Sequence, residues 1–420
     1  MSAGAESIQQ MLVNGPCEDI YYSNAMNTKK ECIHTVQSTK YQQALTQLGA
    51  GTSVFLIPPN YGLSDIAVIL RLKAVAAGAG AGLAVPRGWG YALIRTVSYR
   101  IGGSTQFFIT GQQLLQNALR RCANASQRDD LYALGGEQIT GAGFESANNY
   151  AYLYLDLPFT KPTSDGKPVP LPSDLLSSQV QITLELNSLP SIISINGGGV
   201  IPATLNELAA GTFQVNQVLM SSRDDSLAAR QDMATHQYVM PCEFVQQEQT
   251  VQCANTTDIQ TIVATGFRSG SVKSIQMWLT KGSDVVAAGT KNPLKWYAPT
   301  SVTVTYAGDI YARFDAGSSQ LWNLINGKLS AKVAGLTLSY PAGAYVSTAE
   351  NYNWVSAPFA QTFEPATTGE YMLTEGISVT NGVVNISFAT PSAAADWVLH
   401  LSYVYAASVV FSQSTAEFVF

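Results

Sequence analysis

Gln179-Val180-Gln181-Ile182-Thr183-Leu184-Glu185-Leu186 alternates polar and apolar side chains without a break. Successive side chains of a strand point to opposite faces. The alternation therefore sets Val180, Ile182, Leu184 and Leu186 on one buried face and the Gln, Thr and Glu side chains on the other. The same period runs through 149–157, 213–220, 272–280, 301–306 and 399–411. Turn clusters separate these runs, among them Lys161-Pro162-Thr163-Ser164-Asp165-Gly166 and Thr380-Asn381-Gly382. Asn381-Gly382 predicts a hairpin, because both residue types tolerate positive φ. Helical spacing is rare. Residues 111–123 place Leu114, Leu115, Ala118, Leu119 and Cys122 on one face, and a shorter segment covers 319–326. Strand and helix do not alternate, which disfavours a parallel sheet and favours antiparallel sandwiches or barrels.

An internal repeat extends this reading. A shift of 207 residues lays Thr96, Val97 and Tyr99 on Thr303, Val304 and Tyr306; it also lays Phe107 on Phe314 and Gln113-Leu114 on Gln320-Leu321. In both halves a strand is followed by a turn, an aromatic and then a helix. Two related β-domains account for this, as do two unrelated ones with similar local patterning. A chain of 420 residues is long enough for two cores. The expected division is an arm over 1–51, a first domain over 52–205 and a second over 206–420. The arm is polar and rich in Gln, Asn, Ser and Thr, and its order is expected to come from contact with neighbours.

Composition points to a surface covered by other protein. Hydrophobic residues make up 46% and aromatics 10%, while charged residues reach only 12%, about half the usual share. Interfaces are enriched in aromatics and depleted of charge, and the chain has 20 Tyr. The formal net charge is −6 and no basic stripe exists to neutralise phosphates, so no direct nucleic-acid contact is expected. Arg120-Arg121 reads as part of a solvated helix face. Residues 1–10 lack the basic-then-apolar pattern of a signal peptide. The charge-free stretches 74–86 and 186–206 are broken by Gly and Pro, and neither supplies the roughly 20 apolar residues of a bilayer helix.

Chemistry-bearing motifs are missing. His34, His236 and His400 stand far apart with no second ligand at i+2 or i+4, so no metal site is expected. There is no G-x-S-x-G elbow, no phosphate-binding G-x-x-x-x-G-K-[ST] loop and no G-x-G-x-x-G fingerprint. Gly78-Ala79-Gly80-Ala81-Gly82 is followed by Leu83-Ala84-Val85-Pro86 rather than a helix, and reads as a flexible loop. Asp129-Asp130 and Asp224-Asp225 sit in polar surroundings and read as solvated. Sequons at Asn124, Asn255 and Asn385 are read as unused. No catalytic residue, cofactor or metal is expected.

The segment Val97-Ser98-Tyr99-Arg100-Ile101-Gly102-Gly103 resembles the Ile-Gly-Gly strand and turn of a family: the double jelly-roll major capsid proteins of the nucleocytoplasmic large DNA virus and adenovirus hexon lineage. Phe107-Phe108 and the helix from Gly111 stand where that family has an Ile-Asp pair and a helix. Leu157-Pro158-Phe159, followed by Val169-Pro170-Leu171-Pro172, is similar to its Leu-Pro-Phe passage. Residues 213–220 resemble its linking strand, and 274–278 a strand of its second jelly roll. Gly382, Asn385, Ser387 and Phe388 are similar to its late Pro-Ser-Gly-x-x-Asn-Phe-Ser hairpin, with Thr-Asn for Pro-Ser before the glycine. These departures leave the viral group open.

The resemblance implies an all-β fold of two tandem eight-stranded antiparallel jelly rolls with few short helices. It also implies a homotrimer forming a pseudo-hexagonal capsomer in an icosahedral double-stranded DNA virus shell. The implied partners are neighbouring capsomers and minor capsid proteins, with indirect contact to an internal membrane where one is present. Location in the virion after assembly inside the host cell follows. Two other readings compete. One is a receptor- or glycan-binding spike or lectin-like sandwich, the other a carbohydrate-active β-sandwich enzyme.

The cysteines yield a direct expectation. Cys17, Cys32, Cys122, Cys242 and Cys253 are odd in number, widely spaced and without a C-x-x-C pair, the pattern of reduced thiols. Thiol titration of the denatured, unreduced protein is expected to count five. A count of one or three would establish disulfides.

Overall fold

The computed structural model describes residues 36–41, 52–57, 62–101, 105–121, 125–155, 173, 176–196, 198–209, 212–218, 238–267, 271–282, 293–294, 296–297, 299–314, 355–358, 377–379, 382–393, 396–412 and 415–419. The first half holds strands β1 (Val36–Tyr41), β2 (Thr52–Ile57), β3 (Gly62–Arg71), β4 (Leu83–Val85), β5 (Ile94–Ile101), β6 (Thr105–Thr110), β7 (Ile139–Thr140), β8 (Tyr150–Leu155), β9 (Val180–Leu186), β10 (Ser194–Ile195) and β11 (Thr212–Val218). Its helices are α1 (Trp89–Leu93), α2 (Gly111–Arg121) and α3 (Ala125–Leu134). The second half holds β12 (Tyr238–Gln252), β13 (Gln260–Ala264), β14 (Ser271–Lys281), β15 (Ser301–Tyr306) and β16 (Asp309–Phe314). It continues with β17 (Val355–Pro358), β18 (Ile377–Ser378), β19 (Val384–Ala389), β20 (Trp397–Ser412) and β21 (Thr415–Val419).

Strand order defines the architecture. In the first half one sheet runs β1-β11-β3-β8 and the facing sheet β2-β9-β5-β6; in the second half the sheets run β12-β20-β14-β17 and β13-β19-β15-β16. All these pairings are antiparallel. Taken in chain order, the strands switch sheets in the same way in both halves, which is a jelly roll made twice. β18 adds to β14 and β21 to β20, and a small sheet β10-β4-β7 caps the first half.

The strand that decides the fold behaves as its alternation requires. Val180, Ile182, Leu184 and Leu186 of β9 are buried between the sheets, while Gln181, Thr183 and Glu185 are only half-buried. β9 lies between β2 and β5, so its inward side chains meet Phe55, Val97 and Tyr99 from neighbouring strands. Each such apolar side chain contributes about 1.5–3 kcal/mol by leaving water. The buried side chains of both halves form one continuous cluster.

The repeat has a structural basis. Thr96, Val97 and Tyr99 lie on β5, and Thr303, Val304 and Tyr306 on β15, which occupy the same place in their sheets. Phe107 and Phe314 both lie on the next strand, but Phe107 stands opposite Tyr99 and Phe314 opposite Val302. Register differs because β15 ends at Tyr306 and turns at Ala307-Gly308, whereas β5 runs two residues past Tyr99 to Ile101, and a bulge follows at Val304/Thr305. Segment 319–326 lies outside the described residues.

Four expectations are corrected. Residues 1–51 are not all arm: Val36–Tyr41 pairs with Thr212–Val218 along its whole length. Its sequence Val-Gln-Ser-Thr-Lys-Tyr carries little apolar signal, so backbone pairing to a central strand decides its place. The boundary at 205/206 also moves, since β11 pairs with β3 as well as β1 and belongs to the first jelly roll. Asn381 lies outside the described residues, but the strands flanking Asn381-Gly382 do not pair with each other as a hairpin would. β18 pairs with β14 in one sheet and β19 with β13 and β15 in the other, so the chain crosses between sheets there. Gly382 is needed because a Cβ would run into the ring of Tyr306. The two-residue hairpin is Ala307-Gly308, both with positive φ of 52° and 97°. Finally, Gly78–Gly82 is a packed turn rather than a loose loop: Gly80 is buried, and a Cβ at Gly82 would strike the Asn196 carbonyl.

Leu184→Ala is expected to lower the unfolding free energy by about 2–5 kcal/mol, as measured by urea denaturation. An unchanged midpoint would contradict its place in the core.

Candidate functional site

Among the described residues, the family-like positions lie on separate strands. Ile101 ends β5 with its side chain buried, and Phe388 lies buried on β19. Asn385 and Ser387 alternate to the outward face of β19, where Ser387 Oγ and Thr261 Oγ1 lie 2.8 Å apart. Gly102, Gly103, Leu157, Pro158 and Phe159 lie outside the described residues. The described ones, Ile101, Asn385, Ser387 and Phe388, lie on strands. Among the described residues no three His, Cys, Asp or Glu side chains gather as metal ligands, and no helix is long and apolar enough to cross a membrane. Cys253 is a free, buried thiol whose pKa burial raises; Cys17, Cys32 and Cys122 lie outside the described residues.

What the fold does build is a junction between the two jelly rolls, and α2 is its centre. Leu114 and Leu115 anchor the helix in the first half. Gln113, Gln116 and Asn117, one helical turn apart on the other side, are buried as well. Gln113 Nε2 donates to Ser402 Oγ at 3.2 Å, and Gln112 Nε2 donates to the Pro293 carbonyl at 3.0 Å. Both acceptors belong to the second half. Ser402 stands opposite Gln276 in the β14–β20 ladder, and both are fully buried on the sheet face turned away from the second sandwich core. Among the described residues the side-chain amides of Gln116 and Gln276 find no hydrogen-bond partner.

In the sequence only Arg120-Arg121 of this helix reads as a solvated face, and its amide side carries no separate expectation. The clue lies in its composition: between 112 and 117 the polar side chains are all amides, with no Lys or Glu. A face meant for water ordinarily carries charge, whereas amides can be enclosed without ionic desolvation.

The same outward sheet face holds an aromatic stack. His400 lies parallel to Trp278 at 5.4 Å between centroids and 10° between planes, and Trp296 leans on Trp278 at 5.8 Å. His400 Nε2 lies 2.9 Å from Thr280 Oγ1. Burial pushes the His400 pKa down to about 4, because the imidazolium would lose its hydration there.

Elsewhere the outward sheet faces remain open. Val54, Leu56 and Phe108 are exposed on the β2-β9-β5-β6 sheet. On the β1-β11-β3-β8 sheet, Tyr152 and Tyr154 are exposed beside Tyr150, whose ring lies under the Arg71 guanidinium at 5.2 Å. In the second half Val263 and Ile310 face outward and exposed.

Solved structures share this architecture. The chain superposes on a chain of the PBCV-1 virus capsid with a TM-score of 0.61 at 13% identity, covering 93% of this chain and 98% of that one. It is also similar to the Faustovirus major capsid protein, with a TM-score of 0.53 at 10% identity over 91% of each chain. The STIV major capsid protein matches with a TM-score of 0.52 at 13% identity, over 88% of this chain and 96% of that one. The fold is the double jelly roll of viral major capsid proteins. No protein-family model matches the sequence, and no curated protein does. The double jelly roll is therefore visible in shape where sequence identity has faded.

The histidine sets a pH dependence. The unfolded chain takes up a proton near pH 6.5 that the folded double jelly roll refuses until about pH 4. Stability is thus full above pH 6.5 and falls as pH drops toward 4, by up to about 3 kcal/mol. Urea midpoints measured from pH 7 to 5 are expected to fall more steeply in the parent protein than in His400→Gln. Equal slopes would contradict the assignment.

Proposed function

We propose that this chain is the major capsid protein of an icosahedral double-stranded DNA virus, a structural subunit that assembles as a homotrimer into pseudo-hexagonal capsomers. The observation that supports it most is the tandem of two jelly rolls with identical strand order, matched end to end by capsid proteins. Two similar modules per chain and three chains give six similar modules around one axis, an outline suited to a hexagonal lattice. The first module is assigned to 36–218 and the second to 238–419.

The surface chemistry agrees with this role. Sheet faces that end in Val54, Leu56, Phe108, Tyr152, Tyr154, Val263 and Ile310 expose apolar and aromatic side chains in a chain with few charges. Such patches on a lone molecule mark protein contacts. Neighbouring capsomers and minor capsid proteins are the assigned partners, with any internal membrane contacted indirectly and nucleic acid not contacted. The protein is assigned to the virion, with assembly inside the host cell.

Light scattering on the purified protein at micromolar concentration is expected to give three times the chain mass, with ring-shaped particles in electron micrographs. A monomer unchanged by concentration that binds a glycan would overturn the reading in favour of a lectin-like protein.

A further inference from the structure

The junction between the two jelly rolls encloses more polar atoms than its direct hydrogen bonds use. Gln276 and Trp278 alternate with the core residues Ile275 and Met277 along β14, so both leave the second sandwich on the side that α2 covers. Gln113 and Gln116 are neighbours on one face of α2. Gln113 donates to Ser402, and Ser402 is the ladder partner of Gln276. Gln116 and Gln276 therefore flank that one direct bond, each a single residue spacing away from it. Both are 0% exposed, and among the described residues neither the Oε1 nor the Nε2 of either side chain has a partner. Asn117 Oδ1, next along α2, and Trp278 Nε1, next on the same face of β14, are buried and unpaired in the same way.

A buried amide without a hydrogen bond is costly, and here several such groups stand close together. Turning either glutamine amide over brings no relief, because its O and N both lack partners and merely exchange places. The unmatched set is neutral and mixed. Gln116, Gln276 and Asn117 bring carbonyl oxygens, while the two glutamines and the indole bring N–H groups. An ion of either sign would meet groups of the wrong polarity. Water donates and accepts at once, and a buried water ordinarily holds about three hydrogen bonds.

We propose that the junction contains a buried hydration site, in which ordered water joins the amide of Gln116 on α2 to that of Gln276 on β14, with Asn117 Oδ1 and Trp278 Nε1 among its partners. The site adds a third neutral link between the jelly rolls, beside Gln113 to Ser402 and Gln112 to the Pro293 carbonyl. It also fixes register, because α2 sliding along the sheet would strand both amides and the water between them. The site lies within one chain and does not rest on the trimeric reading.

A density map of the full-length protein fine enough to show ordered water tests it directly. A peak, or a hydrogen-bonded pair of peaks, is expected within about 2.6–3.2 Å of side-chain polar atoms of both Gln116 and Gln276. Amides that pair with each other, or that have no peak between them, overturn the site. Urea denaturation of Gln116→Met, Gln276→Met and the double variant tests it in solution. Each single variant is expected to lower the midpoint by stranding the water and the amide that remains. The double variant is expected to fall by less than half the sum of the single shifts, since the second substitution removes a group already stranded. Shifts that simply add overturn the site. If a variant fails to fold, the map alone decides.

Discussion

A sheet has two faces, and a sandwich buries only one of each. The whole molecule depends on how the remaining outward faces are covered. Between the halves the answer is α2, held through Gln113 to Ser402 and through Gln112 to the Pro293 carbonyl. Without that helix the sheet carrying Gln276, Trp278 and His400 would meet water on both sides of its rim. With it, the two jelly rolls share one continuous set of buried side chains.

The strands themselves need no such help. Alternation along β9, β5 and β15 sends apolar side chains inward with period 2, and neighbours in the ladder complete each layer. Even β20, whose residues 401–405 are buried on both faces, keeps this logic: Leu401, Tyr403 and Tyr405 fill the sandwich, while Ser402 faces α2. Tyr403 reaches from the core to donate to the Thr265 carbonyl at 2.9 Å and stacks on Phe267 at 4.3 Å. A polar tip is satisfied where the sheets meet their connecting loop.

Much of this was legible in the residues. The alternation of 179–186 and 301–306 located β9 and β15 to within a residue, and the shift of 207 matched β5 to β15 before any topology was known. What escaped was set by long-range partners. β1 lacks apolar contrast and is defined by the strand it pairs with, some 170 residues later. Asn381-Gly382 has the composition of a hairpin turn, but its flanking strands find partners in opposite sheets. The junction was hardest, because a helix whose polar side is buried reads in one dimension like a helix whose polar side is wet. Between 112 and 117 that side carries only amides, and this is the feature that distinguishes it from a wet face.

The amide contacts of that join have a consequence for how it responds to dissolved salt. Ion pairs loosen as dissolved salt rises, since mobile ions shorten the reach of each charge to about 10 Å at 0.1 M and about 3 Å at 1 M. Amide, hydroxyl and carbonyl groups carry no net charge for those ions to screen. The hydrogen bonds from Gln113 to Ser402 and from Gln112 to the Pro293 carbonyl are therefore expected to keep their strength as dissolved salt rises.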